Sequence, residues 1–147
     1  MNKKDKMLGR YISQLYRLGS AFITKELSKF NIGYGQFMFL VELYKYDSIC
    51  QEELTEMLHI DKGTTARAIK KLEEQGYVVR IKDISDRRAY KISVTDKAKE
   101  IEPHIRSILY DWNDKLTSNL SEDEKKMALE LMSKIAKNQR ICAGKEK

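Results

Sequence analysis

A chain of 147 residues with 41% hydrophobic and 34% charged side chains can bury a core and is too mixed to be disordered or fibrous. Its net charge of +6 fits nucleic acid, an anionic membrane surface or plain solubility, so where the charge falls matters more than its sum. Two cysteines without a CxxC spacing exclude a secreted disulfide scaffold, and the longest apolar run, Phe37–Val41, is too short to span a membrane.

Residues 5–30 are predicted helical, because Leu8, Ile12, Leu15, Tyr16, Phe22, Ile23, Leu27 and Phe30 recur at three- and four-residue spacing. No apolar segment follows the charged Asn2–Lys6 stretch, so no secretory leader is expected and the chain is assigned to the cytoplasm. Asn31-Ile32-Gly33 breaks the first helix. A second helix is expected over 34–46, with Phe37, Leu40, Val41 and Tyr44 on one face, and Asp47-Ser48 turns the chain. Two short helices then stand close together. Gln51–Leu58 has Leu54, Met57 and Leu58 as its apolar positions. After the link His59-Ile60-Asp61, a helix from Lys62 to Gln75 starts on an Asp61 N-cap and stops at Gly76, with Ala66, Ile69 and Leu72 as its expected buried face.

The period then shortens to two. Residues 77–82 and 89–94 read as strands on either side of the polar loop 83–88, a β-hairpin. Thr95 is placed as the N-cap of a helix over 96–118. That helix has a stripe of Ala98, Ile101, Ile105, Ile108, Leu109, Trp112 and Leu116, with Pro103 inside it. Ser121-Glu122-Asp123-Glu124 has the form of a capping box, and it opens a last helix with Met127, Leu131, Met132 and Ile135 apolar. Residues 140–147 are expected to fray.

The order helix, short link, helix, glycine, strand, basic loop, strand is that of a winged helix-turn-helix: one helix for the major groove and a loop for the minor groove. The expected fold is therefore mainly α with a small β-hairpin wing. Residues 33–95 form the DNA-binding domain, flanked by helical dimerisation regions at 1–32 and 96–147. From Lys62 to Lys91 there are nine basic residues against four acidic ones, a net +5 within a chain of +6. Such a stripe suits duplex phosphate. In the second helix of the pair, Lys62, Thr64, Thr65, Arg67, Lys70 and Lys71 are the candidate contacts. Threonine hydroxyls can bond phosphates or base edges, and Arg67 can fork onto guanine O6 and N7. In the loop, Asp86, Arg87 and Arg88 are the candidates, with Arg88 reaching a narrow minor groove and Asp86 pairing with it to stiffen the tip.

Catalysis is not expected. His59 and His104 stand in no metal or triad pattern, and no glycine-rich phosphate loop is present, so no cofactor and no metal is assigned. Two other readings stay open: a winged domain used for protein–protein contact, and a nucleoid-type, weakly specific DNA binder.

Specific segments resemble the MarR family of transcription regulators. Asp86-Arg87-Arg88-Ala89-Tyr90-Lys91-Ile92-Ser93-Val94-Thr95 is similar to its D-x-R-[AS]-x-x-[ILV]-x-L-T signature. Leu72-Glu73-Glu74-Gln75-Gly76 matches the L-E-x-x-G that closes its recognition helix, and Arg67 stands where that helix has Arg. Gln36-Phe37-Met38-Phe39-Leu40 resembles the Q-[FW]-x-x-L of its second helix. Three departures stand out: Asp96-Lys97-Ala98 replaces the x-x-G that follows L-T, Gly33 replaces a threonine cap, and no cysteine lies in the first helix. The resemblance therefore does not extend to peroxide sensing through a first-helix cysteine, and Cys50 and Cys142 are read as inert small residues.

The apolar stripes outside 33–95, including Ile105, Ile108, Trp112, Leu131 and Ile135, need a partner surface. The resemblance implies a homodimer whose two recognition helices read a palindromic operator. It also implies a repressor released by a small, often aromatic ligand. By position, Arg10, Tyr11, Arg17 and Phe37 are the candidate ligand contacts, since an arginine beside aromatic rings suits an anionic aromatic molecule.

Overall fold

A computed structural model describes residues 7–86, 88–138 and 141. The chain forms two compact units, Met1–Trp112 and Asn113–Lys147.

The first unit opens with α1 (Leu8–Leu27), which tightens into a 3-10 turn at Ser28–Phe30 and stops at Asn31, in the left-handed region at φ +56°. Only the C-terminal part of α1 is buried, through Gly19, Ile23 and Leu27. Leu8, Tyr11, Ile12, Leu15, Tyr16 and Leu18 are exposed. α2 (Tyr34–Leu43) starts where the Gly33 N–H donates to Gln36 Oε1 at 2.8 Å. It ends three residues before the expected 46, in a turn where Lys45 N–H donates to the Glu42 carbonyl. The expected single face is corrected as well: Phe37, Phe39, Leu40 and Leu43 are buried, while Val41 and Tyr44 are partly buried. α2 is the central helix, packed against α1, α4 and the sheet, so it is apolar on more than one side.

After β1 (Ile49–Cys50) come α3 (Gln51–Leu58) and α4 (Lys62–Glu74). His59, at φ +53°, ends α3 and makes the link. α4 closes on Gly76 at φ +79°. There the Tyr77 N–H donates to the Leu72 carbonyl at 2.9 Å and the Gly76 N–H to the Glu73 carbonyl at 3.0 Å, a Schellman closure that needs the glycine. β2 (Val78–Lys82) and β3 (Tyr90–Val94) pair antiparallel, with Val78 opposite Val94 and Lys82 opposite Tyr90. β1 lies on the far side of β3, Ile49 opposite Ile92, so the sheet order is β1-β3-β2. The expected hairpin is thus a three-stranded sheet. A two-residue strand has no periodicity of its own and exists because β3 offers its second edge.

Thr95 joins the sheet to α5 (Asp96–Thr117): its hydroxyl donates to the Gly76 carbonyl at 2.6 Å and accepts the Ala98 N–H at 3.3 Å. Pro103 lies inside α5, and Ala98, Ile105 and Ile108 are buried. Trp112 stacks on Phe22 at 5.8 Å. It closes so tightly on α1 that a Cβ on Gly19 would stand 2.9 Å from the indole ring. The core gathers α1, α2, α3, α4, the inward side of the sheet and the first half of α5 around Leu27, Leu40, Leu54, Ile69, Leu72, Ile92 and Ile105.

In the second unit, α6 (Glu122–Ala136) begins on the expected capping box. The Glu124 N–H donates to Ser121 Oγ at 3.2 Å, and the Ser121 N–H to Glu124 Oε2 at 2.8 Å. No residue of α6 is buried. Met127, Leu129, Leu131 and Met132 are exposed, Leu129 by 73%. No described helix is long and apolar enough to cross a membrane.

Candidate nucleic-acid interface

α4 turns one side inward and one outward. Thr65, Ala68, Ile69 and Leu72 are buried, a face rotated from the expected Ala66, Ile69 and Leu72. Lys62, Arg67, Lys70 and Lys71 are exposed. This corrects the expectation for Thr65. It is 0% exposed, and its hydroxyl donates to the Asp61 carbonyl at 2.9 Å, so neither base nor phosphate can reach it. A threonine hydroxyl can satisfy itself on the carbonyl four residues back, which lets it sit in a core.

The first turn of α4 is held by a chain of hydrogen bonds. Asp61 Oδ1 accepts the Thr64 N–H at 2.8 Å and Asp61 Oδ2 accepts the Thr64 hydroxyl at 2.7 Å. The Thr64 oxygen in turn accepts Arg67 Nη2 at 3.0 Å. The two bonds from Thr64, main chain first, hold the Asp61 carboxyl below its ordinary value, and the Arg67 charge adds to them. The sequence places Asp61 as a cap only. The further signal is the three-residue spacing of Asp61, Thr64 and Arg67, which brings them to one side of the helix.

The C-terminal end of α4 is tied down too. Gln75 Nε2 donates to the Asn31 carbonyl, and Lys97 Nζ donates to the Gln75 carbonyl at 2.6 Å while lying 4.5 Å from the Tyr77 ring centre. The Tyr77 hydroxyl donates to the Phe30 carbonyl at 2.8 Å. The end of α4 is therefore tied to the turn that follows α1 and to the start of α5.

The wing loop is braced through its main chain. Asp86 Oδ1 accepts the Arg88 N–H at 3.0 Å, and the Ala89 N–H donates to the Asp86 carbonyl at 3.0 Å. Asp83 Oδ1 accepts both the N–H and the hydroxyl of Ser85, which hold its carboxyl below the ordinary value. Behind the loop, the Arg80 guanidinium lies 4.4 Å from the Tyr90 ring centre. Arg88 is exposed. It shares with Lys62 a cleft of about 460 Å³ that Glu52, Glu56, Asp83 and Asp86 also line. Arg87 lies outside the described residues, as do Cys142 and nearly all of the expected C-terminal fray.

Cys50 precedes α3. Burial pushes its thiol up, and the Glu53 and Asp83 carboxylates add to the shift, so the reactive thiolate is disfavoured. Among the candidate ligand contacts, Arg10, Tyr11 and Arg17 lie on the exposed part of α1, whereas Phe37 is 3% exposed and belongs to the core. Phe37 contacts Tyr34 at 6.1 Å, and Tyr34 meets Tyr16 edge-on at 5.7 Å. The aromatic chain from core to surface thus runs through Tyr34 and Tyr16, which sequence reasoning did not single out for this role. Among the described residues, no group of three His, Cys, Asp or Glu side chains is placed to hold a metal ion.

The profile of the MarR family matches residues 32–90. Over 129 residues the chain is 31% identical to YybA of Bacillus subtilis strain 168, an uncharacterized HTH-type transcriptional regulator, covering 88% of this chain and 86% of that one. A MarR transcriptional regulator from Methanosarcina mazei Go1 has the same fold, with a TM-score of 0.88 and 41% identity over 92% of this chain and 97% of the other. A mutant of MarR from E. coli, solved in complex with operator DNA, gives a TM-score of 0.79 at 26% identity, covering 87% of this chain and 92% of that one. With α3 and α4 as the helix pair and β2–β3 as the wing, the chain belongs to the MarR family of winged helix-turn-helix transcriptional regulators.

Proposed function

We propose that the protein is a sequence-specific repressor that binds a palindromic operator as a homodimer in the cytoplasm and is released by a small aromatic ligand. The observation that carries this reading is the division of α4. Its inner face is a core face, and its outer face presents Lys62, Arg67, Lys70 and Lys71 beside a wing that carries Arg88. An α-helix with such a face fits the major groove, and lysines and arginines at its edges neutralise phosphates. Arg67 reads bases, Lys62, Lys70 and Lys71 hold phosphate, and Arg88, with Arg87 beside it, probes the minor groove from a loop fixed by Asp86. The activity is binding rather than catalysis.

Residues 33–95 are the reading head, and residues 1–32 and 96–147 the dimerisation region. Support for the dimer is the set of large apolar side chains left exposed, Leu8, Tyr11, Ile12 and Leu15 on the first half of α1 and Met127, Leu129, Leu131 and Met132 on α6. A two-fold partner would set two α4 helices about one DNA turn, roughly 10 base pairs, apart. Support for the ligand is the Tyr16–Tyr34–Phe37 chain, which runs from the core residue Phe37 on α2 to Tyr16 on the same stretch of α1 as Arg10 and Arg17.

The test is in vitro selection from a randomised duplex library, with binding then titrated against salt. The expected product is a palindrome with half-site centres about 10 base pairs apart, and Arg67→Ala should erase preference at one base pair per half-site. No binding to any duplex at low salt would refute the reading.

A further inference from the structure

An aspartate is an odd choice to cap a helix that faces DNA. Serine and asparagine cap as well and are neutral, whereas a carboxylate repels phosphate. The second oxygen of Asp61 shows what the charge is for. Capping needs only Oδ1, which takes the Thr64 N–H. Oδ2 takes the Thr64 hydroxyl proton at 2.7 Å. That hydroxyl has only one proton to give, so its oxygen is turned toward Arg67 as an acceptor and receives Nη2 at 3.0 Å. Gly63 leaves the space this needs: a Cβ there would lie 3.3 Å from Arg67 Nη1 and 3.3 Å from Asp61 Oδ1. One of the five guanidinium donors is used, and enough remain to fork onto guanine O6 and N7.

We infer that Asp61 is a positioning residue for base readout: acting through the Thr64 hydroxyl, it holds the Arg67 guanidinium oriented before DNA arrives. This rests on the reading of α4 as the recognition helix. An arginine already ordered loses less freedom on meeting its base, and the gain falls on sequence discrimination rather than on general affinity.

The probe is a duplex selected by the wild-type protein from a random library, compared with a scrambled duplex of equal length. Asp61→Asn keeps an oxygen for the cap but replaces Oδ2 by a donor that competes with Arg67 for the Thr64 oxygen. It should lower affinity for the selected duplex about tenfold, while affinity for the scrambled duplex holds or rises because a negative charge is gone. In an Arg67→Ala background the same substitution should cost less than about twofold, since there is nothing left to orient. Thr64→Val breaks the relay while leaving the main-chain cap bond in place and should repeat the loss, and Thr64→Ser should restore it. A penalty equal with and without Arg67, or equal on both duplexes, overturns the inference, because it marks a cap and nothing more. If the wild-type protein enriches no duplex, the regulator reading itself falls and takes the inference with it, a result visible before any variant is made.

Discussion

Helices α4 and α6 have similar lengths, thirteen and fifteen residues, and both are amphipathic, highly charged and capped by a side chain at the N-terminus. α4 buries four residues and α6 none. Isolated helices of this length are marginal in water and owe their stability to the packing of an apolar face. α4 finds that packing within its own chain, against α2, α3 and the sheet. α6 carries Met127, Leu129, Leu131 and Met132 on open surface. Amphipathic pattern and burial are therefore separate facts: the apolar face of α4 is covered by its own chain, while the apolar side chains of α6 stay open.

The largest expected effect comes from disabling α6. Leu131→Glu puts a charge on the exposed stripe without harming helix propensity, since glutamate is a good helix former. If α6 packs against a second copy, sedimentation should show a monomer, and operator affinity should fall by about a hundredfold or more as two linked reading heads become one. A dimer that survives this change would move the interface elsewhere. The matching change in α4 is Leu72→Ala. Leu72 is fully buried, so the cost should be about 2–5 kcal/mol of unfolding free energy, read from a denaturant midpoint, with operator sequence preference retained in the folded fraction. A smaller effect is expected at the wing. Arg88→Ala should weaken binding to all duplexes alike and reduce the slope of log affinity against log salt by about one. A change in preferred major-groove bases would instead give Arg88 a reading role and overturn the division of labour proposed between it and Arg67.

Much of the fold is legible in the sequence where the deciding interactions are local. The Asp61 and Ser121 caps and the Gly76 stop each join residues within a few positions of one another, and each forms as the residue types require. The switch to period-two alternation marks β2 and β3 for the same reason. The candidate site is legible at the level of which segment holds it and which charges it carries, because Lys62, Arg67 and Arg88 are long, basic and next to recognisable punctuation. Its side-by-side detail is not. Thr65 looks like a reader beside Thr64 and is a core residue, since the helix rotation that hides it depends on where α2 and the sheet lie.

The order of elements, their caps and stops, and the concentration of positive charge between Lys62 and Lys91 are properties of neighbouring residues and can be read along the chain. The third strand at Ile49 and Cys50, the choice of buried face on α4, and the ties from Lys97, Gln75 and Tyr77 that fix the end of α4 to distant segments come from long-range packing. Those outcomes depend on groups far apart in the chain, such as Lys97 with Gln75, 22 positions away, and Tyr77 with Phe30, 47 positions away. Such partners meet only after the core has closed, and no local pattern records them.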